Sequence, residues 1–190
     1  MLEFWPVVLT VSGAAASLSF ARAIRGHFVS ETLPSGMKMI VALSYLAIFV
    51  YFVTLWTGDA PAWARAAGLL LQGVGAALFH WAKAATQDNR LTAAFDVDAP
   101  QFLMRTGPYR FVRHPFYAAY IAFWLGSAAG AGSWVLWLIV LVLAALYVIA
   151  ARREEQKFEN SGLAEDYRSY ARRTGFLLPK FAALAKTPAD

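Results

Sequence analysis

The chain has 190 residues, 59% of them hydrophobic and only 15% charged, whereas an ordinary soluble domain carries about 25% charged residues; the length suits one compact domain that is short of the polar surface water would require. It contains no cysteine, which excludes disulfides, thiolate zinc sites and cysteine nucleophiles, and its histidines, His27, His80 and His114, are scattered rather than grouped as metal ligands. The formal net charge of +5 could point to nucleic acid, but the placement of the charges argues otherwise.

Taken in chain order, five stretches are apolar enough to span or nearly span a bilayer: 4–21, 39–57, 66–82, 116–130 and 134–151. A membrane helix needs about 20 such residues. The first is preceded by Glu3 and no basic residue, so a cleaved signal peptide is not expected. In the third, Gln72 and His80 are eight residues apart and are predicted to share a helix face, either bonding a neighbouring helix or lining a pocket. Trp63, Trp81, Trp134 and Trp137 fall near the predicted span ends, where amphipathic aromatics sit at membrane interfaces. The fourth span is short, and "GSAAGAGS" at its end predicts a tight turn into the fifth, making 116–151 a helical hairpin. With the N-terminus outside, sixteen Lys and Arg fall in the inner loops and only Arg65 in an outer one. That asymmetry sets the orientation, N-terminus outside and C-terminus cytoplasmic in the inner or cell membrane, and the basic balance serves topology and anionic headgroups rather than nucleic acid. The fold class expected is all-α, a polytopic integral membrane bundle of about five transmembrane helices. It forms a single domain, with residues 1–82 as a three-span N-terminal part and 83–190 carrying the hairpin and a cytoplasmic tail.

The polar material lies in two segments that border the last two spans, 83–115 and 152–181. In "GPYRFVRHPFY", Gly107-Pro108 marks a turn. Pro115 forces His114 out of helical conformation and suits the first position of the fourth span. The backbone N–H groups that open this helix stand at the positive end of its dipole, a ready anion site. Arg110, Arg113 and His114 add donors, and Tyr117 adds a ring and a hydroxyl. On the fifth span Tyr147, Ala151, Glu154 and Phe158 form one helical stripe, with Glu155 about 100° round on its flank. A charge at membrane depth costs about 2.5–3.5 kcal/mol even on lenient scales, so the carboxylates need partners. Arg152 and Arg153 at headgroup level are the plain answer. The other is a shared site: a helix start with arginines takes a carboxylate and the acidic pair takes an ammonium, as a zwitterionic amino-acid group requires. No internal repeat, glycine-rich phosphate loop or dinucleotide fingerprint is present.

"RHPFY" at 113–117, thirty-six intervening residues and "EE" at 154–155 resemble the paired signature of the membrane methyltransferase family that includes isoprenylcysteine carboxyl methyltransferases and phospholipid N-methyltransferases. The downstream "EDYRSYARRTGFLLP" is similar to the family's closing segment through Tyr167, Tyr170 and Pro179, so the similarity covers roughly residues 66–180. Two positions depart from the pattern, Ala119 where many members have glycine and Arg153 where an apolar residue is common; they bear on backbone packing and pocket shape. The resemblance implies S-adenosyl-L-methionine as cofactor, bound in the C-terminal cytoplasmic region. His114, Tyr117, Glu154 and Glu155 match motif positions, and Tyr109, Pro115, Tyr167 and Tyr170 complete the candidate cofactor contacts. Arg110, Arg113 and His114 form the candidate catalytic set. A sulfonium methyl is already activated, so alignment and exclusion of water are the main demands. A carboxylate acceptor needs no base, whereas an amine or thiol would look to His114, and Arg110 or Arg113 could steer an acidic group. The implied activity is methylation of a lipid-like or prenylated small molecule at the cytoplasmic face, carboxyl methylation of an isoprenylcysteine-like acceptor before phospholipid ethanolamine N-methylation, with no obligate protein partner. A sterol-reductase-like NADPH enzyme and a non-catalytic membrane protein are the other classes considered. The apolar "TGFLLPKFAAL" in the tail suits either a lid or a membrane-lying segment.

Overall fold

A computed structural model describes residues 4–29, 35–86, 91–92, 100 and 102–180. Glu3, positions 87–90, 93–99 and 101 of the long polar loop, and the tail from 181, with the last part of its apolar segment and Lys186, lie outside the described residues.

In a bilayer each backbone N–H and C=O must be bonded within the protein, and the apolar runs meet this demand as helices. They are α1 (Phe4–His27), α2 (Ser35–Thr57), α3 (Ala62–Ala85), α4 (Pro115–Ala131) and α5 (Trp134–Glu159), followed by the short α6 (Ala164–Arg173). A two-residue parallel pair joins β1 (Phe28–Val29) to β2 (Leu91–Thr92). By length and composition α1, α2, α3 and α5 can cross a membrane. The 17 residues of α4 rise only about 26 Å, short of a hydrocarbon layer of about 30 Å. Val11, Phe49, Leu70, Leu138 and Leu141 stand exposed on the outside of the bundle, an apolar surface that a water-soluble monomer does not present. The chain is an integral membrane protein of helical-bundle fold, as the composition requires.

The core is organised by the contact of α3 with α4, the most extensive in the molecule. A Cβ at Gly126 would stand 2.6 Å from the Gly68 carbonyl, and one at Gly68 the same distance from the Gly126 carbonyl: the two backbones touch. Between lipid-solvated helices such close approach supplies the packing attraction that the hydrophobic effect does not. It also explains a difference from expectation. "GSAAGA" is the last part of α4, not a turn; its small side chains serve the helix contact. The turn is confined to Gly132, whose φ of 66° is the left-handed conformation glycine adopts freely, and Ser133, which caps α5 by accepting from Leu136 N–H at 3.4 Å.

Gln72 and His80 do not share a face. Gln72 is fully buried and donates to Tyr51 Oη at 3.1 Å and Ser127 Oγ at 3.0 Å, tying α2, α3 and α4 together. His80 is exposed and meets Ser19 Oγ at 3.2 Å. Eight residues at 3.6 per turn leave about 80° between them, enough at this crowded contact to put one inside and the other out. Trp63 and Trp134 are largely exposed at the starts of α3 and α5, as membrane-interface anchors would be.

The α4–α5 hairpin positions the candidate site. His114 lies 18 residues before Gly132 and Glu154 lies 21 after Ser133, so antiparallel arms of nearly equal length bring them to the same end of the bundle. Substituting Gly126→Val should drive side-chain carbons into the α3 backbone and cost about 1–3 kcal/mol, as overpacking does. Gly73→Ala, where a Cβ meets nothing within 4 Å, should be neutral or slightly stabilising. Thermal unfolding of both variants in detergent checks the contrast.

Candidate active site

The residues before α4 and the last turns of α5 form one charged cluster. Pro115 opens α4 and is buried; His114 ahead of it takes φ −125° and ψ 65°, outside the helix as a residue before proline must be. Its side chain does not cap α4 and turns instead between the two glutamates. Nδ1 lies 3.4 Å from Glu154 Oε2 and Nε2 lies 3.2 Å from Glu155 Oε1. Arg113 Nε donates to the same Glu155 oxygen at 2.6 Å, and Tyr117 Oη donates to Glu154 Oε1 at 2.5 Å. His114 is almost wholly buried, whereas Glu154 and Glu155 keep 30% and 21% of their side chains exposed. The ion pairs are thus shielded on the cationic side and open on the anionic side. Arg152 and Arg153, the headgroup-level partners expected from sequence, are exposed.

The C-terminal segment holds this cluster. Arg113 Nη1 donates to the carbonyls of Ala171 at 3.2 Å and Thr174 at 2.7 Å, a cation at the negative end of α6. Residues 174–178 then run across the loop before α4. Val112 and Gly175 form a parallel bridge, Arg113 N–H donates to Gly175 O at 2.8 Å, and His114 N–H donates to Phe176 O at 3.3 Å. The Phe176 ring lies edge-on to His114 with centroids 5.1 Å apart and also meets the Arg113 guanidinium. Tyr170 Oη donates to the Tyr109 carbonyl at 2.8 Å, fixing the single 3-10 turn Gly107–Arg110. Tyr167 stacks flat on Phe158 at 5.0 Å; its buried hydroxyl lies close to Glu155 without an aligned hydrogen bond to it.

Beneath the charges stands a column of rings. Tyr117 stacks on Tyr147 at 5.9 Å, and Tyr147 on Tyr120 at 5.4 Å. Trp124 Nε1 donates to Tyr147 Oη at 3.3 Å, and Tyr120 meets Phe20 of α1 at 5.1 Å. The column carries a polar-tipped apolar wall from the acidic pair into the bundle.

Electrostatics follow from this packing. Burial alone would push the His114 pKa down, but its hydrogen bonds and charge attraction to Glu154 and Glu155 outweigh that, and the net shift is upward from 6.5. Burial, then the nearby Glu154 charge, holds the Tyr109 hydroxyl well above its ordinary value. Burial raises Tyr170 to about 12.

Among the residues expected from sequence, Arg113, His114, Tyr117, Glu154 and Glu155 are in direct contact. Tyr109, Pro115, Tyr167 and Tyr170 form the frame around them. Arg110 is separate: it ends the 3-10 turn exposed, with no hydrogen bond or ion pair among the described residues. The two family departures are also accounted for. Arg153 faces outward, and buried Ala119 keeps its close approach because the glycine is on the other helix; a Cβ at Gly75 would stand 2.7 Å from the Ala119 carbonyl. Sequence reading missed Tyr120, Trp124 and Phe176. The first two were detectable, since Tyr117, Tyr120 and Trp124 recur at three- and four-residue spacing on α4; Phe176, in an irregular segment, gave no periodic signal.

Residues 63–165, more than half of the chain, match the phospholipid methyltransferase family. The chain belongs to that family. The match takes in α3, α4, α5 and both charged motifs and ends at the start of α6. A methanethiol S-methyltransferase from a Pseudomonas species is 36% identical over 73 residues, which are 38% of this chain and 26% of that protein; the aligned stretch thus spans about a quarter of the relative's length. In this chain the cluster lies at the polar, cross-braced end of the bundle.

The raised pKa fixes the sign of one pH effect. The ion pairs of His114 contribute stability fully below the unfolded value of 6.5, and that contribution is lost as pH rises through the folded pKa. Without ligand, the thermal midpoint in detergent should fall as pH is raised from about 6 to about 8, and His114→Asn should flatten this slope. A wild-type midpoint that stays level or climbs over that range would show that His114 is not held as imidazolium.

Proposed function

We propose that this protein transfers a methyl group from S-adenosyl-L-methionine to a lipophilic acceptor that reaches the site from the bilayer. The observation that carries this reading is the convergence of the cationic start of α4 with the acidic end of α5, with both carboxylates still partly exposed. The donor set suits the amino-acid end of that cofactor: Glu154 and Glu155 for the ammonium, the first turn of α4 and Arg113 for the carboxylate, and the Tyr117–Tyr147 stack as an aromatic wall. When bound, the cofactor supplies a sulfonium-activated methyl. This chain's own residues bind, orient and exclude water: Arg113 fixes Glu155, Tyr117 fixes Glu154, and Phe176 covers His114. Alignment of this kind accounts for most of what such a transfer requires. On the sixteen-to-one split of Lys and Arg, the site faces the cytoplasm and the N-terminus lies outside. The whole chain works as one membrane domain, residues 83–190 supplying the site. Arg110, exposed on the 3-10 turn and apart from the cluster, would steer an acidic acceptor group.

For the acceptor, the reading carried from sequence is carboxyl methylation of an isoprenylcysteine-like molecule. The cluster suits it, because a carboxylate needs no base and His114 is pinned by two carboxylates. A second reading, methylation at nitrogen or sulfur, is favoured by the match to phospholipid methyltransferases and by the relative named for methanethiol; it requires His114 to become a base.

Glu154→Gln and Glu155→Gln should each weaken S-adenosyl-L-methionine binding about ten- to hundredfold, the worth of one charge-assisted hydrogen bond, with the helical circular dichroism unchanged. Normal binding by both variants would displace the site. Incubating the protein with methyl-labelled cofactor and lipid extract should give a labelled apolar product; release of the label as methanol in base identifies an ester, and retention identifies an amine or thioether. No labelled product from lipid or prenylated peptide, with cofactor bound, would rule out transfer to a lipophilic acceptor.

A further inference from the structure

One proton completes the cluster around His114. Each ring nitrogen faces a carboxylate oxygen, at 3.4 Å and 3.2 Å. A neutral imidazole carries hydrogen on one nitrogen only and would turn a lone pair toward one of those oxygens; an imidazolium donates to both. The charged and titratable groups around the ring come from every element packed on it. Glu154 and Glu155 come from α5, Arg113 from the ring's own loop, and Tyr117, bonded to Glu154, from α4. Tyr109 of the 3-10 turn and Tyr167 of α6 stand near the glutamates and stay neutral. Arg113, protonated His114, Glu154 and Glu155 therefore sum to zero. S-adenosyl-L-methionine carries an ammonium, a carboxylate and a sulfonium, so its arrival, ammonium at the acidic pair and carboxylate at the α4 start, would leave the site one positive charge in excess. Arginine does not deprotonate in proteins, so the charge that can leave is the His114 proton. The incoming cation also has a way in, because the carboxylates are partly open while the histidine is 7% exposed.

We propose that His114 exchanges its proton for the ammonium of the methyl donor: when that ammonium takes over Glu154 and Glu155, His114 gives its proton to solvent and is left as a neutral imidazole able to accept one from a thiol or amine acceptor. The inference rests on the cofactor reading above and supplies the base that the second acceptor reading, methylation at nitrogen or sulfur, requires. One N–H bond of the imidazolium breaks, the proton passes to water or buffer, no electrons change hands, and the net charge of the site is unchanged. The upward shift of the His114 pKa in the ligand-free protein agrees with a proton held by these carboxylates. It follows that the base is switched on only after the donor is in place, so an acceptor thiol is not deprotonated in an empty site.

The test is calorimetric titration of S-adenosyl-L-methionine into the full chain in detergent at about pH 6.5, below the range where the ligand's own amine titrates, in several buffers of different ionisation enthalpy. The heats should differ between buffers with a slope of about one proton released per ligand. Affinity should tighten by up to about tenfold per pH unit until the folded pKa of His114 is passed. His114→Asn should bind with heats that no longer depend on the buffer. Glu154→Gln, which leaves the histidine one carboxylate, should release less than the wild type and serves if the Asn variant does not fold. Binding by the wild type with identical heats in all buffers overturns the exchange and leaves the cofactor reading standing; no binding at all overturns both.

Discussion

Two adjacent carboxylates at the end of a membrane helix must be answered by positive charge close at hand, and in this protein the answer comes from Arg113 and His114. Breaking such a partly buried pair by removing one partner leaves an uncompensated charge, so the cluster constrains everything that touches it. His114 has to stand outside the helix to turn its ring toward α5, and Pro115 keeps it there. Arg113 has to be held at a fixed depth, and the carbonyls of Ala171 and Thr174 do this. The segment after α6 then has a defined course, since its own backbone bonds to Phe111, Arg113 and His114. The polar end of the bundle is therefore one cross-braced unit rather than a set of loops.

The membrane part serves this unit by fixing distances. Backbone contact between α3 and α4 at Gly68 and Gly126 makes a rigid pair, and the turn at Gly132–Ser133 leaves α5 little freedom to slide relative to α4. A slip of one residue along α5 would rotate Glu154 by about 100°, away from Tyr117 and His114. The column of Tyr117, Tyr147 and Tyr120 links the two layers of the problem, with polar atoms at the charged end and ring faces toward the apolar interior. The proposed function draws on both layers, the charged end for the cofactor and the apolar interior for the acceptor.

Several elements were legible in the sequence because a single physical rule governs each. Long apolar runs in a chain with 15% charge point to membrane helices, and their starts came within four residues of those found, whereas α1 and α5 continue six and eight residues past the expected ends, to His27 and Glu159. Pro115 announces a helix start, and the stripe from Tyr147 to Phe158 gives the direction of Glu154. Other readings failed where a second rule competed. "GSAAGAGS" has turn composition, but small residues are also what a close helix contact selects, and the contact took six of its eight positions. The spacing of Gln72 and His80 allows a shared face on an isolated helix, yet an 80° offset at a crowded contact separates them. Phe176 lies in an irregular segment, where no periodicity signals what a side chain will touch.

By itself, the sequence determined the medium, the helices, and the two groups of charges that need each other, because hydrophobic length and the cost of isolated charge are local quantities. Only the tertiary structure decided how those charges are satisfied: that Arg113 and His114, from the other arm of the hairpin, pair with the glutamates, and that Arg110 stands apart. The reason is geometric. Which of several arginines reaches a carboxylate depends on how α5 is set against α4 and on the register of their turn at Gly132 and Ser133, which residues far apart in the chain decide together.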